Sequence, residues 1–490
     1  MNSLAVLRSS RDALAHYVLS QLGADGSIRG RCRSRRLESA LFLALLKQEN
    51  AAPDMQARLT RYLLDSSHSN PLDALLAASV HSRPNDRAEQ FISSFDHLTG
   101  MRKKILLQTL FEILGLIRHS IDTRPVDEHF PETRTPAGEL MLTAIKILRA
   151  RGDRQHCIHL VQQLERGSTQ TIWEGYTLAH LVALHAVAAI HPGHPLIARG
   201  IRAISSVQNA DGGIPAMVGH DVFFTALGGQ ALAALEIDPQ ATRAMQEFVS
   251  CHQNENGGWP YTEKTRQTDV DTTSWCLSLL RAAPDATYAT QINASEKYLE
   301  QIADPAGGFP TYLPGHRPEA EMTANAIMAL TPPRRPLTSS LSKAIEFLIG
   351  SQTDEGAWPE NWATSEPLLI CQATLALRSG EGAPIQQAID YACHRLIKTQ
   401  RPDGGWGTNP ASPSDPNSTS NAVAALITHR PKEQGVMRTA TEWLAERQNA
   451  DGSFDGPSDQ VGPRPFRYNF PILTNLRVLS ALSRGLGKAP

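Results

Sequence analysis

Two carboxylates lie one residue apart in residues 268–273 (TDVDTT), directly before the apolar residues of a predicted helix. Asp and Thr at a helix start commonly act as N-caps, but capping needs only one such residue. A carboxylate beside another, or buried away from water, holds its proton to a higher pH than a free one. Asp269 and Asp271 therefore form a candidate site for acid chemistry as well as a helix start.

Two other uses of an Asp-x-Asp run do not fit this chain. A calcium loop needs Gly at its sixth position and Glu at its twelfth, where this sequence has Ser274 and Leu280. The Asp-x-Asp-x-Thr motif of haloacid-dehalogenase-type phosphatases must follow a buried hydrophobic strand, whereas residues 263–268 are polar. No alternation of strands and helices surrounds the run either. Protonation of a carbon–carbon double bond is the third interpretation.

A seven-residue pattern recurs along the chain: Gln, three residues, Gly, one residue, then an aromatic or aliphatic residue. Five copies span 208–214, 253–259, 352–358, 400–406 and 448–454, and looser copies span 301–309 and 21–28. From residue 208 onward the spacing is 45 to 51 residues, a period typical of stacked units. Apolar periodicity predicts two helices between copies, and strand patterns are nearly absent. We predict an all-α fold, as an open solenoid or a closed α/α barrel.

Bulk properties exclude several classes of partner. The chain has 490 residues, 41% hydrophobic and 20% charged, with a net charge of −2, so no nucleic-acid partner is indicated. Six scattered cysteines contain no Cys-x-x-Cys pair, which favours a reducing compartment over zinc or disulfides. No segment has the length of a membrane span or the pattern of a signal peptide. We therefore expect a cytoplasmic protein without an integral membrane segment.

The repeats and the aspartate run together resemble the class II, protonation-initiated terpene cyclases of the squalene–hopene cyclase and copalyl diphosphate synthase superfamily, which includes bacterial drimenyl, halimadienyl and copalyl diphosphate synthases. In that superfamily the repeats are called QW repeats, and the middle Asp of an Asp-x-Asp-Thr-Thr motif protonates the terminal alkene of a linear prenyl diphosphate. The resemblance implies that Asp271 is the acid, beside Asp269, with Thr272 able to hydrogen-bond it. Burial would keep Asp271 protonated, whereas a helix N-terminus favours its ionised form.

The resemblance also implies two α/α barrels, called β and γ. The β-type barrel would comprise residues 1–20 and 249–490 and carry the acid motif, and the γ-type barrel would comprise residues 21–248. Residues 212–224 look like the Gly-Gly-x-Pro…Asp-x-Phe segment of class II diterpene cyclases. Ala216 replaces an Asn that helps to remove the final proton in the plant ent-copalyl type. A different terminating base is therefore expected, with a drimane, labdane or halimane product.

A carbocation needs a dry pocket with aromatic faces. The candidate pocket residues are Trp173, Ala216, Trp275, Tyr312, Trp362 and Tyr468. Trp259, Trp358 and Trp406 belong to the repeat turns, and we predict a structural role for them.

The Asp-Asp-x-x-Asp motif of ionisation-type terpene synthases is absent, since the chain contains no Asp-Asp pair. A substrate diphosphate should therefore be retained in the product. Relatives of this size use Mg²⁺ near an acidic patch of the γ barrel, and Asp127 and Glu128 are the best match here. A solvated acidic loop is the other interpretation of that pair.

Several alternatives remain open at this point. They are a squalene-type triterpene cyclase, a barrel like the β subunit of protein prenyltransferases, which needs a zinc site, and a non-catalytic α/α binding barrel. The residues do not separate farnesyl from geranylgeranyl diphosphate, and frequency within the family favours the C20 substrate. An enzyme of this kind would act between a prenyl diphosphate synthase and a class I synthase or a phosphatase.

Overall fold

The computed structural model describes residues 3–65, 71–81, 84, 86–93, 100–118, 135–150, 158, 161–162, 171–331, 337–459 and 468–487. These residues are mostly helical, with two short two-stranded sheets, so the predicted all-α class is confirmed. The chain forms two compact units: the acid-bearing unit (Met1–Gly30 with His220–Pro490) and the intervening unit (Arg31–Gly219). The boundaries set from the sequence, at residues 20 and 248, differ from these and placed residues 21–30 and 220–248 in the other unit.

The helices before residue 219 are α1 (Ser3–Ser20), α2 (Arg36–Gln48), α3 (Pro53–Leu64), α4 (Pro71–Ala78), α5 (Asp86–Ser93), α6 (Gly100–Ile113), α7 (Pro136–Ala150), α8 (Thr177–Ile190) and α9 (Pro195–Ser205). Those after it are α10 (Asp221–Leu235), α11 (Pro239–Ser250), α12 (Val270–Arg281), α13 (Ala289–Ile302), α14 (Ala320–Leu330), α15 (Ser339–Gly350), α16 (Glu366–Leu377), α17 (Ala383–Thr399), α18 (Pro416–His429), α19 (Gln434–Arg447) and α20 (Pro471–Leu486). The strands are β1 (Ser34–Arg35), β2 (Ile214–Pro215), β3 (Trp259–Pro260) and β4 (Thr268–Asp269).

The acid-bearing unit is a closed ring of helical pairs. Its inner helices α10, α12, α14, α16, α18 and α20 each pack against the next, and α20 packs back against α10. The helices α11, α13, α15, α17 and α19 lie outside them, and α1 fills the sixth outer position against α19 and α20. Inner helices are buried almost all round: α18 has eleven consecutive buried residues from Pro416 to Leu426. Of the two arrangements that the repeats allowed, the closed barrel is the one observed.

The repeat Gln joins each turn to the next outer helix. Its side-chain amide donates to the backbone carbonyl of the repeat Gly, at 2.8 Å for Gln253 and Gln448. The same amide also donates to an outer helix, at 2.9 Å from Gln253 to Gln291 and 2.8 Å from Gln448 to Ser10. The last of these bonds reaches α1, so the N-terminal helix closes the ring through the same contact that the other repeats use.

The repeat tryptophans anchor the turns. The indole N–H of Trp259, Trp358 and Trp406 donates to the carbonyl ten residues earlier, at 2.8 to 2.9 Å. All three rings are nearly inaccessible to solvent. A buried indole keeps a hydrogen-bond partner for its single donor, so these contacts confirm the predicted structural role.

Each turn also sets the register of the inner helix that follows it. The backbone N–H of Trp259 donates to Thr273 at 3.0 Å, and that of Trp406 donates to Thr419 at 2.9 Å. The corresponding bond on α14 runs from the Phe309 N–H to Thr323 at 2.9 Å. The helix starts are therefore aligned, and the residue two before each of these threonines occupies one equivalent position.

The intervening unit is also helical. Helix α8 packs against α7, α9 and α2, and β1 pairs antiparallel with β2. Ala216 follows β2 and is completely buried, and its carbonyl accepts from the Thr177 N–H at 3.1 Å. Trp173 opens a 3₁₀ turn before α8, and its backbone N–H donates to His180 at 3.2 Å.

None of the helices in the described part of the chain has the length and apolar character needed to cross a bilayer.

Candidate active site

Helix α12 begins at a capped turn. Asp269 is its N-cap, and its Oδ1 accepts from the Thr272 N–H at 2.6 Å. The Thr272 hydroxyl donates to the other oxygen of Asp269 at 2.9 Å. The bond that the sequence suggested, from Thr272 to Asp271, is therefore not formed, because Asp269 takes both donors of Thr272.

The start of α18 repeats this arrangement without a second carboxylate. Asp415 accepts from the N–H of Ser418 at 2.9 Å and from its hydroxyl at 2.7 Å. Asn417 stands where α12 has Asp271. Asp269, Thr272 and Thr273 thus have the structural tasks that Asp415, Ser418 and Thr419 also perform, and Asp271 is the part of the motif that structure alone does not explain.

Asp271 is held at one oxygen and left open at the other. Its Oδ1 accepts from the Trp275 indole N–H and from the Asn325 amide, both at 2.8 Å. Among the described residues no hydrogen bond reaches its Oδ2. Trp275 lies one turn further along α12, and Asn325 comes from the neighbouring inner helix α14. The two donors fix the direction of the carboxyl group, and Oδ2 remains available to carry a proton.

Burial raises the pKa of Asp271 above its ordinary value, and this effect outweighs four opposing ones. Arg477 lowers that pKa most, followed by the hydrogen bonds from Trp275 and Asn325 and by the charge of Arg484. The side chain nevertheless keeps some accessible surface, unlike Asp269, which is buried. Burial also raises the pKa of Asp269, to about 8, and the charge of Asp271 adds to this rise. A raised pKa favours the neutral form of a carboxyl, and the value of about 8 for Asp269 makes that form predominate at neutral pH.

Two arginines of α20, Arg477 and Arg484, are near enough to Asp271 to lower its pKa. The Arg484 guanidinium carbon stands 4.4 Å from the centre of the Trp275 ring, and burial lowers the pKa of Arg484 to about 10. The guanidinium carbon of Arg477 stands 5.5 Å from the centre of the Phe223 ring. Trp275, predicted as a pocket residue for a carbocation, therefore already has a cation against its ring, and its N–H positions Asp271.

The neighbouring helix carries a second buried acid. Glu321 on α14 lies at the position equivalent to Asp271, two residues before Thr323. Its Oε2 accepts from the Ala363 N–H at 3.0 Å, and its Oε1 stands 3.8 Å from Arg477 Nη2. Burial raises its pKa to about 8, and the charge of Asp271 contributes next.

The predicted aromatic residues Tyr312, Trp362 and Tyr468 of this unit belong to two separate groups of packed rings. Tyr312 and Trp362 pack edge to face, with ring centroids 5.6 Å apart. Tyr468 lies 5.8 Å from the His220 ring and 6.2 Å from Phe470. Burial raises the pKa of Tyr312 well above its ordinary value, with further contributions from Asp269 and Tyr468.

The other predicted site residues do not belong to the described part of the acid-bearing unit. Trp173 and Ala216 belong to the intervening unit, as described above. Asp127 and Glu128 lie outside the described residues. Within the residues that the structure describes, no group of three His, Cys, Asp or Glu side chains is arranged to hold a metal ion.

Four polar residues around Asp271 were not predicted from the sequence: Asn325, Glu321, Arg477 and Arg484. A signal for Glu321 was present, because 319–323 (EAEMT) aligns with 269–273 (DVDTT) when the repeats are superimposed. Asn325 and Arg477 interrupt otherwise apolar stretches of helix. Asn325 reaches Asp271 from the adjacent inner helix, whereas the proximity of Arg477 depends on closure of the ring.

Comparison with known proteins covers nearly the whole chain. A family model described as the squalene-hopene cyclase C-terminal domain matches residues 261–484. A drimenyl diphosphate synthase of Streptantibioticus cattleyicolor is 33% identical over 97% of this chain and 94% of its own length. One of Streptomyces showdoensis is 32% identical over 98% and 94%. The structure of ent-copalyl diphosphate synthase from Streptomyces platensis covers 99% of both chains at a TM-score of 0.60 and 16% identity, which shows a common fold.

The two capping aspartates predict different pH dependences of stability. An unfolded Asp has a pKa of about 3.9, whereas Asp269 in the folded protein has a pKa of about 8. Unfolding between these values releases a proton, so wild-type stability falls as the pH rises. Asp269→Asn removes this loss and keeps an N-cap. In urea denaturation, the difference between the free energies of unfolding of Asp269→Asn and of the wild type should rise in favour of the variant. The expected rise is about 1 kcal/mol per pH unit from about pH 6.5 to 8.

Asp415→Asn is the matched control, because the pKa of Asp415 is raised only to about 6. Above that pH the carboxyl is ionised in both states, so the difference from the wild type should be flat. An equally flat difference for Asp269→Asn would contradict the raised pKa of Asp269.

Proposed function

The chain belongs to the class II terpene cyclases of the squalene–hopene cyclase superfamily, and on that premise we propose that Asp271 protonates the terminal alkene of farnesyl diphosphate to start its cyclisation. The observation that carries this proposal is the carboxyl itself. It stands at the start of an inner helix of the ring with only part of its surface accessible, burial raises its pKa, and one oxygen has no hydrogen-bond partner among the described residues.

The reaction needs a neutral acid that becomes a stable anion. The Oδ2–H bond of Asp271 breaks, and its proton adds to the less substituted carbon of the terminal alkene, leaving a tertiary cation. The two remaining alkenes attack in turn and close two rings, and a base or a water takes a proton from the carbon beside the last cation, which gives a bicyclic diphosphate without a carbocation. The number of protons is unchanged, so the reaction is an isomerisation.

The surroundings of Asp271 offset the weakness of a carboxylic acid with a raised pKa. Trp275 and Asn325 already donate to Oδ1, and their bonds strengthen as the oxygen becomes an anion. Arg477 and Arg484 contribute positive charge that favours the same anion. These groups are in place before the proton moves, so the site pays little reorganisation during the step. The edge-to-face pair Tyr312 and Trp362 is suited to stabilise a cation and to exclude water.

The relatives support a C15 substrate. Family frequency alone favoured the C20 substrate, but the two relatives that match almost the whole chain are both named for drimenyl diphosphate, a C15 compound. A drimane diphosphate is therefore the proposed product, and labdane and halimane products from geranylgeranyl diphosphate are the second candidates. The squalene-type, prenyltransferase-like and non-catalytic alternatives are not favoured, because the two relatives that match almost the whole chain are both named as drimenyl diphosphate synthases.

The diphosphate should leave intact, since the chain has no Asp-Asp pair. We propose that Mg²⁺ assists its binding through Asp127 and Glu128, on the resemblance to the family. The described residues offer no group that fits the ion, and no step is assigned to it. A retained diphosphate also requires a supplying prenyl diphosphate synthase and a consuming class I synthase or phosphatase. The cytoplasmic location stays a prediction from the cysteine pattern.

Asp271→Asn should abolish cyclisation while preserving the fold. Asn417 shows that α18 accepts Asn at the equivalent position, and an amide oxygen can still accept from Trp275 and Asn325. We expect the rate on farnesyl diphosphate to fall by about 10³-fold or more, because the amide has no acidic proton to give. Products are measured by gas chromatography and mass spectrometry, and cyclic alcohols should appear only after phosphatase treatment.

Asp415→Asn serves as the control, since it removes a buried carboxyl from an equivalent helix start and should cyclise at the wild-type rate. Cyclic product from folded Asp271→Asn at more than a tenth of that rate would remove Asp271 as the acid. A preference of the wild type for geranylgeranyl diphosphate would reject only the proposed chain length.

Removal of Mg²⁺ should slow the wild type, and added Mg²⁺ should restore its rate. The double variant Asp127→Ala/Glu128→Ala should need about tenfold more Mg²⁺ for half-maximal rate, because two carboxylate ligands are lost. Asp354→Ala/Glu355→Ala removes an adjacent Asp-Glu pair from an exposed turn and should leave the Mg²⁺ requirement unchanged. Identical Mg²⁺ titrations of the two double variants would contradict the proposed ligands.

A further inference from the structure

Glu321 is a buried acid for which neither the fold nor the proposed acid step has a use. The residue is 2% exposed, and its Oε2 accepts from the Ala363 N–H. Oε1 is buried without a hydrogen-bond partner among the described residues. Buried carboxyl oxygens are normally paired. Glu319 occupies the N-cap position of this helix without a side-chain cap hydrogen bond, so Glu321 lies inside the helix and is not its cap.

The groups facing Glu321 come from three neighbouring elements. Asp271 lies on α12, Arg477 on α20, and Asp459 on the segment after α19. Arg477 is the positive charge that lowers the pKa of both Glu321 and Asp271. The two negative charges raise the pKa of Glu321, and burial raises it most, to about 8. Glu321 therefore holds a proton at neutral pH and can lose it to a neighbour when Arg477 stabilises the resulting anion.

Unpaired polar atoms connect Glu321 with Asp271. Asn325 lies one turn after Glu321 on the same face of α14. Its amide donates to Asp271, whereas its Oδ1 is buried and unpaired among the described residues. The Nε of Arg477 is also unpaired there. With Glu321 Oε1, these atoms provide the two to four polar partners that an ordered water needs.

The other buried acids of this unit lack such a free oxygen. Both oxygens of Asp269 are occupied by Thr272. Asp459 accepts from the backbone and hydroxyl of Thr364, from Ser365 and from Asn417. In the described part of the acid-bearing unit, Glu321 is the buried acid that combines an unpaired oxygen with proximity to Asp271.

Each turnover leaves Asp271 as a carboxylate that must regain a proton. Resting on the proposed acid role of Asp271, we propose that Glu321 is the relay residue that returns this proton. The O–H bond of Glu321 breaks, a water bridging Glu321, Asn325 and Arg477 passes a proton to Asp271, and a new O–H bond forms there. Glu321 becomes a carboxylate facing Arg477 and then takes a proton from solvent water.

Glu321→Gln tests the relay, because Gln keeps the shape of the side chain but has no acidic proton. With enzyme in excess, a rapid-quench experiment on farnesyl diphosphate should give a single turnover within about threefold of the wild-type rate. With substrate in excess, the variant should form one product per active site in a burst. The steady state that follows should be at least about tenfold slower than that of the wild type, since reprotonation limits it.

Asp415→Asn, the control for removal of a buried carboxyl, should show no burst and a wild-type steady state. Glu321→Asp keeps an acid at a longer distance and should show the same split between single turnover and steady state, with a smaller loss. If Glu321→Gln does not fold, Glu321→Asp is sufficient to test the relay.

Two outcomes would overturn the relay. Equal slowing of single turnover and steady state would mean that Glu321 only positions Asp271, and an unchanged steady state would mean that the proton returns by another route. A product burst from Asp271→Asn would instead reject the proposed acid. Failure of the relay and failure of the proposed function are therefore separate results.

Discussion

The site depends on shielding most of one carboxyl group from water without pairing it with a charge in direct contact. A free Asp is ionised at neutral pH, and burial reverses this because a carboxylate loses its hydration. A buried carboxyl without any support would be too weak an acid to protonate an alkene. Two neutral donors on one oxygen and two arginines that are not in contact with it reconcile these demands.

The helical ring supplies this environment through repetition. Each turn fixes the axial position of its inner helix, because a backbone N–H of the turn donates to the threonine side chain at the fourth residue of that helix. The equivalent positions on α12, α14 and α18 therefore form one level of the ring, where Asp271, Glu321 and Asn417 stand. Asp269 and Asp415 cap their helices in the same way, so the chemistry at this level can vary without changing the fold.

The sequence predicted those features that depend on residues close together in the chain. Spacing of the Gln and Gly residues predicted the helical pairs, and the paired aspartates predicted the acid and its position at a helix start. The sequence could not assign Asp269 and Thr272 to capping. That assignment rests on the structure, in which Asp415 and Ser418 form the same pair of hydrogen bonds at another helix start. Arg477 was missed because it follows Asp271 by about two hundred residues, and only closure of α20 onto α10 brings it near.

The protonation state of Asp271 is the central claim, and infrared difference spectroscopy between the wild type and Asp271→Asn at neutral pH measures it directly. We predict that the wild type shows the carbonyl stretch of a neutral carboxylic acid, shifted by deuterium exchange, that the variant lacks. The carboxylate bands should be the same in both proteins. Loss of a pair of carboxylate bands in the variant, without loss of the neutral carbonyl stretch, would show that Asp271 is ionised and would contradict its role as the proton donor.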